Sequence, residues 1–125
     1  MDRSFSKEER LKNKILIGTL FSEGSSVSKY PLRLIYMRAQ ETEGAKLKAA
    51  VSVSKRSFKK AVDRNRIKRL VREAYRLNKH LFIQSTGENP YLFMLLYTGK
   101  EIPSFKKLNS ILQKLHEKFD AHIKE

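Results

Sequence analysis

The sequence predicts an α+β fold in which a small sheet packs with helices, and three observations carry that reading. Apolar residues recur at three and four near both ends and through the middle of the chain. Between those stretches they alternate with period two, and one continuous apolar run, YLFMLLY from Tyr91 to Tyr97, is bounded by turn residues. The order is helix, strands, helix, strand, helix. A chain divides only when one core outgrows about 250 residues, so the 125 residues are expected to form a single domain spanning positions 1–125.

Each element has its own justification. Ser6 and Glu9 stand at capping-box spacing before Leu11, and Gly24 offers a left-handed stop, so a first helix is expected from Lys7 to Ser22. Its apolar residues go most of the way round, which predicts contact on more than one side. Tyr30, Leu32, Leu34 and Tyr36 then alternate with Pro31, Arg33, Ile35 and Met37, a strand with Pro31 at its start or on an edge. Gln40 to Ala45, carrying Gly44, reads as a turn. From Lys46 to Ser54 a further strand places Leu47, Ala49, Val51 and Val53 on one face. Lys48, Ala50, Ser52 and Ser54 form the other, which is small and polar. A basic helix is expected from Phe58 to Lys79, then a loop over Gln84 to Pro90. Tyr91 to Tyr97 suits a strand buried on both faces. After a loop over Thr98 to Pro103, Ser104 caps a last helix carrying Phe105, Leu108, Ile111, Leu112, Leu115 and Phe119.

The hydrophobic share of 40% is enough for a core, so global disorder is excluded. Without cysteine the chain has neither disulfides nor thiolate metal sites. No apolar run approaches the roughly 20 residues that span a bilayer, and the N-terminal residues do not read as a signal peptide. A cytoplasmic protein is expected. Lys and Arg number 27 against 13 Asp and Glu, a net charge of +14. So large a charge on so small a surface points to a polyanionic partner, and nucleic acid fits better than a membrane because no segment reads as an interfacial helix.

The charge concentrates on the central helix. At about 100° per residue, Ile67, Leu70, Val71, Ala74, Asn78 and Leu81 fall in one stripe, with Tyr75 and Leu77 beside it. Asn65, Lys68, Arg69, Arg72, Arg76 and Lys79 gather opposite, with Arg64 at the boundary and Arg66 to the side. Lys55, Arg56, Lys59 and Lys60 extend the charge upstream. A face that is only solvated mixes signs to gain pairs four apart, whereas Lys68, Arg72 and Arg76 form a like-charge series at that spacing. Such repulsion is tolerated where an anion lies over it. The guanidinium fork can hold phosphate oxygens bidentately, and Asn65 adds a neutral donor and acceptor. Asp63 near the helix start and Glu73 beside an arginine read as structural.

The stretch SKRSFKKAVDRNRIKRLVRE, Ser54 to Glu73, resembles the signature of the bacterial ribonuclease P protein component. The Lys55–Arg56 pair, a short loop, Ala61–Val62, the core Arg64-Asn65-Arg66, Lys68–Arg69 and Arg72–Glu73 carry the resemblance. Phe21 and Gly24 at the end of the first helix, and the order of elements, extend it over nearly the whole chain. It implies a mostly antiparallel four-stranded sheet with three helices in the order α-β-β-β-α-β-α. The implied fold is like the second domain of ribosomal protein S5, with a left-handed βαβ crossover. The implied role is to assist a catalytic RNA that removes the 5′ leader of precursor tRNA, as the protein subunit of an RNA endonuclease. The implied partners are that RNA and precursor tRNA, with no membrane and no small-molecule substrate.

By the same resemblance Arg64, Asn65, Arg66, Lys68, Arg69, Arg72 and Arg76 meet the RNA subunit. Phe21, Tyr36, Ser52, Lys55, Arg56, Lys59 and Lys60 are the candidates for the single-stranded leader, which needs stacking rings and a positive groove, while Phe21 and Tyr36 read equally well as core aromatics. No protein-borne catalytic residue is expected: His80, His116 and His122 are scattered, and Glu8, Glu9, Glu41 and Glu43 lack metal-ligand spacing. Phosphodiester hydrolysis commonly uses paired metals, so Mg2+ is expected in the RNA partner and none on the protein alone. A ribosomal or RNA-assembly protein is the alternative reading; a DNA regulator is disfavoured because a strand, not a helix, precedes the basic helix.

Overall fold

The computed structural model describes residues 5–40 and 45–125. The elements run α1 (Lys14–Glu23), β1 (Ser25–Lys29), β2 (Leu32–Arg38), β3 (Leu47–Val53), α2 (Ala61–Thr86), β4 (Tyr91–Tyr97) and α3 (Phe105–Ile123), in the expected order. The turn expected over Gln40–Ala45, with Glu41, Glu43 and Gly44, lies outside the described residues except at its two ends.

The strands form one mixed sheet in the order β1-β2-β4-β3. β2 pairs antiparallel with β1 and β4, while β3 pairs parallel with β4, with Ala49 opposite Phe93 and Ser52 opposite Leu96. A parallel neighbour requires the chain to cross back over the sheet, and α2 is that crossover. Alternation then sorts the side chains. Leu34, Tyr36, Ala49, Phe93 and Leu95 face α2 and α3 and join Ile67, Val71, Ala74, Tyr75, Phe82, Leu108, Leu112, Leu115 and Phe119 in the main core. Ile35, Leu92 and Met94 face the other way and pack with Leu11 and with Leu20 of α1. β4 is therefore buried on both faces, as its unbroken apolar run predicts.

Local causes move three expected boundaries. The expected helix over Lys7–Ser22 is instead a single 3₁₀ turn at Lys7–Glu9 followed by α1. Glu9 does reach back to the Ser6 N–H, at 3.0 Å. Beyond that turn, however, Leu11 donates its N–H to the Ala49 carbonyl at 2.9 Å, and Arg10 bridges Ala49, so the chain is drawn out along the free edge of β3. Helix restarts only where the Asn13 side chain caps the N–H groups of Ile15 and Leu16 at 2.9 and 3.2 Å.

Gly24 is extended rather than left-handed, with φ −71°. Glycine is required there by proximity: a Cβ would stand 2.4 Å from the Leu20 carbonyl oxygen and 2.8 Å from Ile35 Cγ2.

α2 begins three residues later than expected and runs seven residues further than Lys79. At its start the Arg64 guanidinium donates to the Phe58 and Lys59 carbonyls, both at 2.8 Å, and so holds the preceding loop in a non-helical shape. At its end the buried stripe continues through Phe82 to Thr86, and Gly87, at φ 60°, donates to the Ile83 carbonyl at 3.0 Å. Asn78, 4% exposed, links α2 to α3 by donating to Asn109 Oδ1 at 2.6 Å, and it also donates to the Ala74 carbonyl of its own helix at 2.7 Å.

Three stability outcomes follow from this structure. Gly24→Ala is expected to lower unfolding free energy by about 2 kcal/mol through overpacking. Gly18→Ala, whose Cβ meets nothing within 4 Å in mid-helix, should raise it by about 0.5–1 kcal/mol in the same urea titration. The His116 imidazole, packed on Phe82 at 5.1 Å, is held below its ordinary value by burial, against the pull of Asp120. The unfolded chain therefore binds that proton first. Stability should fall as pH drops below about 6.5, and His116→Gln should flatten that limb of a urea-midpoint profile.

Candidate RNA interface

α2 presents its basic face because its other face is committed to the core. Ile67, Val71 and Ala74 are fully buried, so Asn65, Arg66, Arg69 and Arg72 are left exposed and Arg64, Lys68 and Arg76 partly so. The projected separation of chemistries therefore appears in three dimensions, with one correction. Lys79, expected among the exposed cations, is 4% exposed, and its Nζ lies 2.7 Å from Glu9 Oε2. That pairing partner sits 70 residues away in sequence, beyond the reach of a helical projection.

Asn65, Lys68, Arg69, Arg72 and Arg76 line one shallow groove of roughly 520 Å³. Two residues with no local pattern to mark them, Phe5 and Arg10, line it with them, brought there by the strand-edge contact of the N-terminal segment. Arg64 and Arg66 are not among the lining residues. Glu73 also borders the groove, but Arg76 occupies it, with Nη2 at 2.5 Å and Nε at 3.1 Å, and these bonds hold its carboxyl below the usual range. The Arg72 guanidinium is lowered from its ordinary value, first by burial and then by the charge of Arg10. It remains a cation at neutral pH.

The second candidate set divides across the sheet. Ser52, with Lys48 and Ala50, faces the α1 side, where it is partly exposed. Lys55, Arg56, Lys59 and Lys60 follow in the exposed loop between β3 and α2, contiguous with that strand end. Phe21, half exposed on α1, belongs to the same side of the sheet. Tyr36 does not. It is 8% exposed and on the opposite face, with its ring edge-on to Phe119 at 4.9 Å and its hydroxyl 3.1 Å from His122 Nδ1. Tyr36 therefore cannot join Phe21 in one stacking platform. The signal was in the sequence: it alternates in step with Leu32 and Leu34, the core face of β2.

A serine, a histidine and an aspartate do come together between α2 and α3. Ser85 Oγ lies 2.8 Å from His116 Nε2 and donates to Asp120 Oδ1 at 2.7 Å. The order is wrong for nucleophile activation, because the carboxylate takes the hydroxyl rather than orienting the imidazole. These contacts fasten α3 to α2. Among the described residues no three His, Asp or Glu side chains gather as metal ligands, and no helix is long and apolar enough to cross a membrane.

Arg64 and Arg69 separate structure from surface. Arg64→Ala removes two hydrogen bonds to the loop and should cost about 1–2 kcal/mol in thermal or urea unfolding. Arg69→Ala, exposed on the groove, should stay within about 0.5 kcal/mol of the parent.

Comparison with known proteins agrees with this geometry. The profile of the Ribonuclease P family matches residues 5–120. The ribonuclease P protein component of Porphyromonas gingivalis is 42% identical over 111 residues, covering 87% of this chain and 81% of that one. That of Chlorobaculum tepidum is 34% identical over 113 residues, covering 82% and 73%. Among solved structures, the Staphylococcus aureus RNase P protein superposes with a TM-score of 0.69 at 20% identity, covering 89% of this chain and 94% of that one. The Thermotoga maritima protein gives 0.65 at 22%, covering 88% and 96%. With a family match from the N-terminal turn into the last helix, and the Arg64-Asn65-Arg66 core at the start of α2, the chain belongs to the ribonuclease P protein family.

Proposed function

We infer that the chain is the protein subunit of ribonuclease P, a ribonucleoprotein endonuclease that removes the 5′ leader of precursor tRNA, and that it works in the cytoplasm. The observation that carries this reading is the family match over residues 5–120, on a fold that sets a continuous cationic face on a rigid helix. A ribosomal role is not favoured, since the related proteins bear the ribonuclease P name.

The division of labour follows from chemistry. Lys68, Arg69, Arg72 and Arg76 bind phosphates of the catalytic RNA, releasing counterions and making affinity fall steeply with salt, and Asn65 offers a neutral donor and acceptor to a base edge or sugar. Arg66 reaches RNA from the side of that face, and Arg64 adds charge while it holds the loop. Across the sheet, Ser52, Lys55, Arg56, Lys59 and Lys60 track the leader backbone, and Phe21 offers a ring on which any base can stack. Among the described residues no three His, Asp or Glu side chains gather that could hold a metal ion. In this reading the RNA holds the Mg2+ and the scissile phosphate, and the protein lowers the Mg2+ needed by neutralising crowded phosphates where two RNAs meet.

The test is precursor-tRNA cleavage at low Mg2+ with catalytic RNA alone, protein alone and both together. Leader release is expected only with both, and with RNA alone once Mg2+ is raised. Cleavage by protein alone, or equal rates with and without protein, would overturn the reading.

A further inference from the structure

We propose that the N-terminal segment Phe5–Arg10 completes a phosphodiester-binding subsite on α2, in which Arg10 and Arg72 clasp one RNA phosphate from opposite walls of the groove, and that the buried Glu9–Lys79 ion pair sets the position of Arg10. The proposal rests on the reading of α2 as the RNA-facing helix and extends it to a segment outside the basic helix.

The segment is docked at several points. Leu11 hydrogen-bonds Ala49 at the β3 edge, the Phe5 ring stands edge-on to Tyr75 at 5.4 Å, and Glu9 meets Lys79 at 2.7 Å. The Glu9 carboxylate also accepts the Ser6 N–H and hydroxyl, each at 3.0 Å, so the ion pair is a satisfied node rather than a loose contact. Its side chains are only 5% and 13% exposed. A pair this buried adds little stability over apolar residues of the same size. What it supplies is placement, since Arg10 is the next residue along from Glu9. The Arg10 guanidinium lies 5.4 Å from the Phe5 ring centroid, a cation–π contact that keeps it at the groove wall.

The electrostatics lack one partner. Among the described residues no carboxylate pairs with Arg10, Arg69 or Arg72, and Glu73, the acidic residue of the groove, is taken by Arg76. Guanidinium groups of one sign share a partly desolvated groove, and the charge of Arg10 already weighs on Arg72. A phosphate between them turns that repulsion into two charge-assisted bonds and can accept the guanidinium forks bidentately.

The test uses the full chain and a transcript of the cognate catalytic RNA, with Kd measured across a salt series. Arg10→Gln is expected to weaken binding roughly tenfold at low salt and to reduce the salt slope by about one, as Arg69→Gln does, while Lys106→Gln on α3 leaves the slope unchanged. The Arg10→Gln/Arg72→Gln pair should lose less than the sum of its singles, because both hold one phosphate. Replacing the ion pair by Glu9→Leu with Lys79→Met should leave a folded protein by thermal melt, yet adding Arg10→Gln to that background should no longer change the slope. An Arg69→Gln effect with no Arg10→Gln effect would overturn the subsite and leave the RNA-facing reading intact. No effect from either would overturn that reading. Strict additivity of Arg10 and Arg72, or an Arg10 effect undiminished without the ion pair, would overturn the shared phosphate and the positioning role respectively.

Discussion

The parallel pairing of β3 with β4 is the constraint on which the rest depends. After Val53 the chain must return the length of the sheet before Tyr91 can pair beside it, and α2 is that return. The helix must also bury one stripe against the sheet and α3, which fixes its rotation about its own axis. Every cation on its outer side is thereby aimed without further ordering. Long basic side chains lose rotamer freedom when they bind, so presenting them from a braced helix confines the entropy loss to the side chains.

The brace is built from contacts with little electrostatic ambition. Asn78 bonds Asn109, Ser85 bonds Asp120, and Phe82 touches Phe93, His116 and Phe119. The strongly charged side of the helix, by contrast, has few internal partners. A surface that repels itself is a standing destabilisation, relieved when an anion binds. The aromatic and amide contacts on the inner side offset it in the meantime.

Much of this was legible in the residues, and what was not has identifiable causes. β4 and α3 were readable because their patterns are unbroken: seven apolar residues from Tyr91 to Tyr97, and Leu108, Leu112, Leu115 and Phe119 recurring at three and four. The signature from Ser54 to Glu73 named the candidate surface. β1 gave no periodic signal, since in SSVSK only Val27 is apolar, and only the family resemblance implied a fourth strand. The break in the first helix comes from Leu11 pairing with Ala49, and the burial of Lys79 from Glu9, both contacts between segments far apart in sequence. Phe5 and Arg10 carry no local pattern that marks them. Tyr36 differs in kind: its alternation with Leu32 and Leu34 already points inward, so the residues themselves left a core role open for this ring.

The sheet also works as a partition. α2 lies on one side of it, whereas Ser52 and α1 lie on the other, and the exposed loop from Ser54 to Lys60 runs between β3 and α2. Two RNA segments on those surfaces would not compete for the same atoms. Holding one raises the local concentration of the other, so a modest grip on each suffices for a firm grip on the pair. The grip would also be reversible in steps, because a segment held on one side could leave while a partner on the other side stays.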